Sequence, residues 1–232
     1  MRPSWWTRVL DFIAPRLCVV CQRRLAPTER TVCTVCQLHL PRTTFQFSPS
    51  DNVMARRFWG LVPIERAAAL TDYEPHSEMA AIVYQLKYGD RPDIGEDMGR
   101  LMAREMGLGG FFDGIDALVP VPLSPRRQRQ RGYNQSERLA AGVSQQTGIP
   151  VVTGVLRRRH FRQSQTTLSH LERQENVSDM FYVRHPERLQ HRHVLLIDDI
   201  YTTGATLLAC AEQLTSIPGI SISILTFGRT VS

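Results

Sequence analysis

Two adjacent carboxylates and a hydroxyl-rich turn stand near the end of the chain. Residues 194–206 read V-L-L-I-D-D-I-Y-T-T-G-A-T, an apolar run that ends in Asp198 and Asp199 and continues into threonines and a glycine. Hydroxyls and backbone N–H groups at the start of a helix suit a phosphate, and a glycine lets the backbone approach it closely. Carboxylates beside such a site can accept hydrogen bonds from sugar hydroxyls and help to hold a partly hydrated Mg²⁺.

The same residues can also be explained without a ligand, because an Asp-Asp turn with threonine at a helix N-cap is common. The full order of residues 194–206 is more specific, and it resembles the phosphoribosyl-pyrophosphate (PRPP) signature of type I phosphoribosyltransferases. The resemblance implies that Asp198 and Asp199 bind the ribose hydroxyls, that Mg²⁺ accompanies PRPP, and that the two acids are the candidates for any catalytic role. It implies that the 5′-phosphate is bound by the loop that follows, made of Thr202, Thr203, Gly204, Ala205 and Thr206.

Basic charge is concentrated in one part of the chain. The chain carries 28 basic residues and a formal net charge of +6, and Lys87 is its only lysine. Residues 120–165 hold nine arginines and a single acidic residue, Glu137. Codon bias toward arginine explains the scarcity of lysine but not this clustering. Guanidinium groups suit phosphates and carboxylates, so the clustering indicates an anionic ligand.

Two arginine clusters follow predicted strands. The first, at 126–131, comes after a proline-limited turn, at the place where type I phosphoribosyltransferases carry the loop that binds pyrophosphate. The second begins at 157–162, where that family has the flexible loop that closes over PRPP. Solvated loops without a ligand are the alternative in both places, and Asn134 is expected to cap a helix. The candidates for contacts to pyrophosphate are Lys87, Arg126, Arg127, Arg129, Arg131 and Arg162.

Four of the five cysteines form two pairs. Cys18 and Cys21 stand in C-V-V-C, Cys33 and Cys36 stand in C-T-V-C, and eleven residues separate the pairs. Two such pairs can complete a tetrahedral Zn²⁺ site, and four thiolates leave no open position, so the metal would be structural. Disulfides are the alternative, although nothing in the sequence directs the chain out of the cytosol. Cys210 lies in an apolar helical stretch and is expected to be a buried small residue.

The order of these motifs resembles one subgroup, the ComF or GntX-like family of competence proteins with a phosphoribosyltransferase domain. The matching stretches are the two cysteine pairs, L-K-Y-G-D at 86–90, V-P-V-P at 119–122, R-G-Y-N-Q at 131–135 and the Asp198-Asp199 signature. The resemblance covers nearly the whole chain. It implies a role in the uptake of transforming DNA or in the use of DNA as a nutrient, beside a helicase-like competence ATPase in some bacteria. Within this resemblance Lys87 is either a phosphate contact or an ordinary surface lysine.

A sheet is needed to bring these residues together. Short apolar runs alternate with amphipathic segments, which indicates a parallel sheet with helices on both faces. The predicted fold is α/β, a type I phosphoribosyltransferase-like parallel sheet flanked by helices, with a small N-terminal four-cysteine zinc module. We expect an N-terminal helix and zinc-ribbon module at 1–42, a connector at 43–64 and a phosphoribosyltransferase-like domain at 65–232. Predicted strands lie at 67–73, 117–121, 151–156, 193–198 and 221–227, and predicted helices at 78–86, 95–106, 135–146, 205–216 and near 171–176.

Composition excludes two classes of protein and leaves three functions open. A hydrophobic content of 42% and a charged content of 22% exclude a wholly disordered chain. No apolar run approaches the roughly 20 residues that cross a bilayer, and no secretory signal is recognisable, so we expect a cytoplasmic protein. The open functions are a DNA-uptake component that binds single-stranded DNA, an active phosphoribosyltransferase, and a PRPP-sensing regulator without turnover. Few aromatic residues lie among the clustered arginines, which gives base stacking little support.

Overall fold

Four parallel strands form the sheet that positions the predicted site. The computed structural model describes residues 15–75, 77–159 and 180–231. In chain order its strands are β1 (Arg66–Tyr73), β2 (Ala117–Pro120), β3 (Leu156–Arg158), β4 (Phe181–Val183), β5 (His193–Tyr201) and β6 (Ser221–Thr230). The sheet has the order β1-β6-β5-β2, while β3 and β4 form a separate antiparallel hairpin. The predicted N-terminal helix, the predicted helix near 171–176 and Arg162 lie outside the described residues.

Apolar side chains fill both faces of this sheet. The helices are α1 (Thr34–His39), α2 (Glu78–Tyr88), α3 (Pro92–Gly107), α4 (Pro125–Arg131), α5 (Gln135–Thr147) and α6 (Ala205–Leu214). Leu195 and Ile197 of β5 pack with α2, α3, α5 and the cysteine segment, whereas Val194 and Leu196 pack with α6 and the hairpin. Because side chains alternate along a strand, one apolar run serves both cores. The prediction of an α/β fold with a parallel sheet between helices is confirmed. Within the described part of the chain, no helix is long and apolar enough to cross a membrane.

Most predicted elements are present with boundaries moved by a few residues, but the prediction of a strand at 151–156 is wrong. Val151 forms only an isolated bridge to Leu118. The chain then turns at Gly154, whose φ of +77° is a left-handed conformation that favours glycine. Leu156 starts the hairpin strand β3 and does not end a strand of the sheet.

The cysteine segment packs directly on the rest of the chain. Thr31 donates from its backbone N–H and from its hydroxyl to one carboxylate oxygen of Asp97 on α3, at 3.2 and 2.6 Å. Arg42 and Glu105 form an ion pair of 3.4 Å. Val32 is fully buried in the same core as the helices that cover the sheet. The segment and the sheet therefore share one core.

Helices α3 and α5 approach each other closely because each presents a glycine at the contact. A Cβ atom on Gly99 of α3 would meet the carbonyl oxygen of Leu139, and one on Gly142 of α5 would meet the carbonyl oxygen of Glu96. Any side chain at either position would push the two backbones apart. This contact fixes α5, and the N-terminus of α5 lies at the carboxyl edge of the sheet.

Candidate functional site

A cavity of about 310 Å³ opens at the carboxyl edge of the sheet. Residues at the end of each of the four parallel strands, or just beyond it, contribute to its wall: Tyr73, Val121, Asp199 and Thr230. Helices and the hairpin complete the wall with Lys87, Arg127, Arg131, Gln135, Arg158 and Thr206. Open α/β sheets bind their ligands beyond the carboxyl ends of the strands, so the cavity lies where a ligand is expected.

Asp198 and Asp199 lie side by side in this cavity, and neighbouring elements hold both carboxylates in place. Oδ1 of Asp198 accepts hydrogen bonds from the hydroxyl of Ser136 at 2.8 Å and from the backbone N–H of Asp199 at 2.9 Å. Oδ2 of Asp199 pairs with Nζ of Lys87 at 2.8 Å, and its Oδ1 accepts from the backbone N–H of Ile200 at 2.9 Å. The acids from β5 are thus oriented by α5 and α2.

The electrostatic environment disfavours a second full negative charge in the pair. Burial raises the pKa of Asp198, and the neighbouring carboxylate of Asp199 raises it further. The hydrogen bond from Ser136 and the charge of Lys87 act in the opposite direction without cancelling the rise. A cation or a hydroxyl donor would relieve this repulsion, and hard cations such as Mg²⁺ prefer oxygen ligands of this kind.

The threonine loop forms the N-terminus of α6. Gly204 is the N-cap with a φ of 82°, and a Cβ atom there would lie 2.7 Å from the ring of Tyr201, so glycine is required. The N–H of Leu208 donates back to the carbonyl of Gly204, which closes the first turn. The N–H groups of that first turn have no partner within a helix and are suited to an anion, with the helix dipole behind them.

The predicted phosphate loop divides between two sides. Thr202 and Thr206 line the cavity that contains the acids. Thr203 borders a second cavity on the other side of the loop, and its hydroxyl accepts a hydrogen bond of 3.4 Å from the backbone N–H of Ala205. Two of the three predicted threonines therefore share one cavity with the acid pair.

The first arginine cluster lies on a short helix, α4, and the expectation of a loop at 126–131 is wrong. Ser124 caps this helix by accepting a hydrogen bond of 3.3 Å from the backbone N–H of Arg127. Pro125 suits the first turn of a helix, and Gly132 ends the helix with a φ of 76°. A cap, a proline and a glycine thus make a helix of a segment whose lack of apolar residues gave no helical period.

Only part of this cluster faces the cavity. Arg127 and Arg131 line it, whereas Arg126 and Arg129 are exposed and do not line it; Arg127 is also largely exposed. The guanidinium of Arg131 also lies 5.3 Å from the centre of the Tyr88 ring. A helix presents different side chains to different sides, so the cluster divides into two residues at the cavity and two at the surface.

Lys87 lies in the wall of the cavity, and its contact to a phosphate stays a prediction. Its side chain is 23% exposed, and it reaches into the cavity to pair with Asp199. The hydroxyl of Tyr133 donates to the carbonyl of Leu86, which ties the end of α2 to the turn before α5. Lys87 is therefore part of the cavity wall, and it is not an ordinary surface lysine.

Gln135 and Ser136, at the start of α5, line or support the site. Neither was among the predicted site residues, although Gln135 ends the matching stretch at 131–135. They are 4% and 1% exposed. Asn134 caps α5 by accepting from the backbone N–H of Ser136 at 3.0 Å, and it donates to the carbonyl of Val121 at 3.0 Å. The predicted cap is confirmed. One sequence feature could have identified these two residues: a helix with a capping residue that begins shortly after the end of a strand. The first residues of such a helix lie near the carboxyl edge of the sheet, where ligands bind.

The four paired cysteines come together in one cluster, with their Sγ atoms within 4.8 Å of one another. The backbone N–H of Cys33 donates to Sγ of Cys18 at 3.3 Å, and that of Cys36 donates to Sγ of Cys33 at 3.5 Å. Cys21 is exposed and the other three are buried. Four sulfur donors at this spacing can hold a tetrahedral metal ion. Cys210 lies apart, fully buried in α6 as expected.

Comparison with known proteins identifies relatives over nearly the whole chain and over part of it. No protein-family model matches it. The DNA utilization protein YhgH of Escherichia coli K12 is 28% identical over 228 residues, which cover 94% of this chain and 98% of that protein. Competence protein F of Haemophilus influenzae is 36% identical over 93 residues, 40% of this chain and 41% of that protein. This chain is a homologue of both. The resemblance to ComF proteins that the motifs indicated is confirmed.

Solved structures give partial overlaps. Glutamine PRPP amidotransferase from Bacillus subtilis is 18% identical and matches 61% of this chain and 30% of that chain, with a TM-score of 0.42. Adenine phosphoribosyltransferase from Leishmania tarentolae is 10% identical and matches 78% of this chain and 88% of that chain, with a TM-score of 0.38.

Proposed function

We propose that the cavity binds PRPP, a ribose 5-phosphate ligand, together with Mg²⁺. The observation that supports this most is the joint placement of the acid pair, the threonine loop, Arg127 and Arg131 around one space. Acceptors for hydroxyl groups and donors for phosphate groups face each other there. PRPP carries hydroxyls and phosphates on one sugar, so one molecule meets both requirements.

Each group has a role in this proposal. Asp198 and Asp199 accept hydrogen bonds from the ribose hydroxyls, and their oxygens help to hold Mg²⁺, which would neutralise the pyrophosphate. The hydroxyls and N–H groups of 202–206 bind the 5′-phosphate. Arg127 and Arg131 donate to the pyrophosphate, since guanidinium forks match phosphate oxygens. Arg126, Arg129 and Arg162 remain candidates for the outer end of the ligand.

Calorimetric titration with PRPP and Mg²⁺ tests this site. We expect the wild-type protein to bind, and Asp198→Asn and Asp199→Asn to weaken binding by about tenfold or more each, since each loses a charge-assisted contact. The control is Asp51→Asn, because Asp51 pairs with Arg56 on an exposed surface and does not line the cavity. Its affinity should equal that of the wild type. No binding by the wild type, or undiminished binding by both Asp variants, contradicts the proposal.

Two versions of the proposal differ in whether a reaction follows binding. In a transferase, a nitrogen nucleophile forms a bond to C1 of the ribose while the bond from C1 to the pyrophosphate oxygen breaks. Pyrophosphate leaves with both electrons of that bond. A sensor binds PRPP and releases nothing. Pyrophosphate release with Mg²⁺, PRPP and a panel of nucleobases separates the two, because release abolished by Asp199→Asn indicates a transferase, whereas binding without release across the panel indicates a regulator.

We place this site in DNA utilization or competence, which is what the names of the relatives describe. We propose a cytoplasmic protein that acts on incoming DNA or on its products, beside a helicase-like competence ATPase. Complementation of a bacterium that lacks its own DNA utilization protein tests the role. Growth on DNA should be restored by the wild-type gene and not by the doubly substituted Asp198→Asn/Asp199→Asn gene. Equal restoration by both would separate the role from the PRPP site.

Binding of single-stranded DNA is a second candidate function, favoured by the surface next to the cavity. Arg126 and Arg129 are exposed on α4. Tyr84 and Tyr88 on α2 are 61% and 60% exposed, and their ring centres are 5.2 Å apart. Arg131 contacts Tyr88, so the tyrosines and the arginines form one surface. Arginines for phosphates and exposed rings for bases are the usual combination for single strands. The fold thus supplies aromatic residues that are distant from the arginines in sequence.

Fluorescence anisotropy with a single-stranded oligonucleotide over a salt series tests this second function. Replacing Arg126 and Arg129 by alanine should reduce the slope of log affinity against log salt by about 1.4, because two phosphate contacts are lost. Tyr84→Ala/Tyr88→Ala should weaken binding by about tenfold. Trp59→Ala is the control, an exposed ring beside Arg56 elsewhere on the protein. Absence of binding at low salt contradicts this function, and competition by PRPP would place both ligands in one cleft.

A further inference from the structure

The acid pair makes one direct ion pair within the described part of the chain. Nζ of Lys87 lies 2.8 Å from Oδ2 of Asp199. Asp198, by contrast, is held by neutral donors, the hydroxyl of Ser136 and the backbone N–H of Asp199. Gln135 adds a long contact of 3.5 Å from its Nε2 to the same Oδ2 that Lys87 contacts. Lys87 is thus the counter-cation of two adjacent carboxylates.

A divalent ion and this lysine compete for the same oxygen. Mg²⁺ takes oxygen ligands and binds through one or two carboxylates. An ammonium group 2.8 Å from Oδ2 of Asp199 occupies one face of that oxygen and repels a second cation beside it. As long as Lys87 stays in place, the acid pair is a weak site for a free divalent ion.

Lys87 has room to leave Asp199 without any change in the helix that carries it. Besides the acid cavity, it borders a cavity of about 480 Å³ that Arg129 and Arg131 also line, and one of about 620 Å³ along α2. A lysine has a flexible four-carbon stem and a compact charge, so its ammonium can move from one wall to another while its backbone stays fixed. The side of the 480 Å³ cavity is rich in arginine, where an entering phosphate would meet it.

We propose that Lys87 is the counter-cation of Asp199 in the ligand-free protein. When Mg²⁺ enters with PRPP, the ion pair between Lys87 and Asp199 breaks, and Lys87 then pairs with the pyrophosphate. This inference rests on the proposed PRPP function and adds an order of events to it. The free metal binds poorly because Lys87 holds its ligand. The metal binds well only together with an anion that pairs with Lys87 and so frees Asp199. Lys87 is accordingly a positioning residue for the metal and a contact for the ligand.

Binding of Mn²⁺ without PRPP tests the inference, measured by electron paramagnetic resonance of the free ion. Lys87→Met and Lys87→Gln should each bind Mn²⁺ at least about tenfold more tightly than the wild type, because a charge that competes for Asp199 is gone. The same variants should bind PRPP with Mg²⁺ about tenfold more weakly, since a contact to pyrophosphate is lost. Arg91→Met is the matched control, because Arg91 pairs with Asp93 and lines none of these three cavities. Its Mn²⁺ affinity should not change.

The two opposite changes distinguish this role from a simpler one. A lysine that only contacted phosphate would lower PRPP affinity and leave Mn²⁺ affinity unchanged, and that result overturns the inference. Weaker Mn²⁺ binding in both variants overturns it as well, because Lys87 would then support the metal site. Gln keeps a donor toward Asp199, and thermal unfolding confirms that each variant is folded. Failure of the wild type to bind PRPP refutes the proposed function, whereas PRPP binding with unchanged Mn²⁺ affinity refutes this inference alone.

Discussion

At the residue scale, Asp198 is an acidic side chain of the site whose ionisation the folded protein disfavours. It lies beside Asp199 and is partly buried, and both circumstances raise its pKa. The single lysine that balances the pair contacts Asp199 and not Asp198. The site therefore keeps an unfavourable charge that a bound cation or sugar would stabilise, as is common for groups that serve function and not stability.

We predict that Asp198→Asn stabilises the ligand-free protein at about pH 8. A raised pKa means that the ionised carboxyl costs free energy in the folded state, so stability falls as pH rises from the usual aspartate range through the raised value. Below that range the carboxyl is protonated in both states and costs nothing. The variant should therefore exceed the wild type by about 1–2 kcal/mol at about pH 8, and the difference should shrink toward about pH 4.

Chemical unfolding at several pH values, without Mg²⁺, measures this difference. Asp93→Asn is the control of opposite sign, because Arg91 lowers the pKa of Asp93 and its ionised form is favoured in the folded protein. That variant should lose stability slightly at about pH 8. An Asp198→Asn variant that is less stable than the wild type at that pH would show that the Asp198 charge supports the fold.

Sequence could name the contiguous residues of the site, together with Lys87, Arg127 and Arg131, but it did not name Ser136. Asp198, Asp199 and the threonine loop stand together in thirteen residues, so their pattern is visible without a fold. Ser136 lies 62 residues from its partner Asp198, and its neighbourhood indicates a capped helix near the ligand edge but not that contact. Its role arises only when α5 starts at the same edge of the sheet.

At the scale of elements, the position of α5 depends on two glycines. Gly99 and Gly142 let α3 and α5 touch through their backbones, and α5 carries Gln135 and Ser136 to the acids. A helix that moves outward takes these side chains with it. The element contact and the geometry of the site are therefore coupled, although Gly142 itself does not line the cavity.

We predict that Gly142→Ala destabilises the protein by about 1–3 kcal/mol, because the added methyl meets the backbone of α3. PRPP binding should weaken in the same variant, since Ser136 and Gln135 move away from the acids. Denaturant unfolding and calorimetry measure the two effects. Gly107→Ala is the control, because a Cβ atom at Gly107 meets nothing within 4 Å. A Gly142→Ala protein as stable as this control would contradict the packing argument.

Periodicity predicted the long elements and failed for the short ones. The sheet strands stand out as continuous apolar runs, and α2, α3, α5 and α6 carry enough apolar residues to show a period of 3.6. The polar helix α4 is held by Ser124 and Gly132 at its ends, and so no apolar period marks it. The apolar residues near 151 fill the core although Val151 makes only an isolated bridge. Burial does not require a strand.

At the scale of the whole molecule, the cysteine segment and the helices that cover the sheet share one hydrophobic core. Thr31 bonds to Asp97, Arg42 pairs with Glu105, and buried residues of the segment belong to the core of the helices. Four sulfur atoms in one cluster hold this segment together when a metal such as Zn²⁺, which we propose, is bound. Loss of the metal should therefore lower the stability of the rest of the protein as well as that of the segment.

We predict that a zinc chelator, or Cys36→Ser, lowers the thermal midpoint of the entire protein in a single transition. Metal binding by four thiolates contributes directly to folding, and the shared core transmits the loss. Differential scanning calorimetry measures the transition, and added Zn²⁺ should restore it in the chelated wild type but not fully in the variant. Two separate transitions, with the larger one unmoved, would show that the segment folds independently.

The fold gives different positions to the clustered arginines. Composition and clustering predicted an anionic ligand, and the family resemblance implied that both clusters lie beside it. The fold directs Arg127, Arg131 and Arg158 to the cavity and leaves Arg126 and Arg129 on the neighbouring surface. This division could not be predicted from sequence, because it depends on which side of α4 faces the sheet edge. One cluster thus divides between two surfaces, which we propose for a small ligand and for a single strand.

The central claim is that the cavity at the carboxyl edge of the sheet holds a ribose phosphate. A crystal structure of the protein with PRPP and Mg²⁺ tests it most directly. We predict density for the 5′-phosphate against the loop at 202–206 and for the ribose hydroxyls against Asp198 and Asp199. Density for PRPP at another place on the protein, or a cavity that stays free of PRPP at saturating concentration, would contradict the claim.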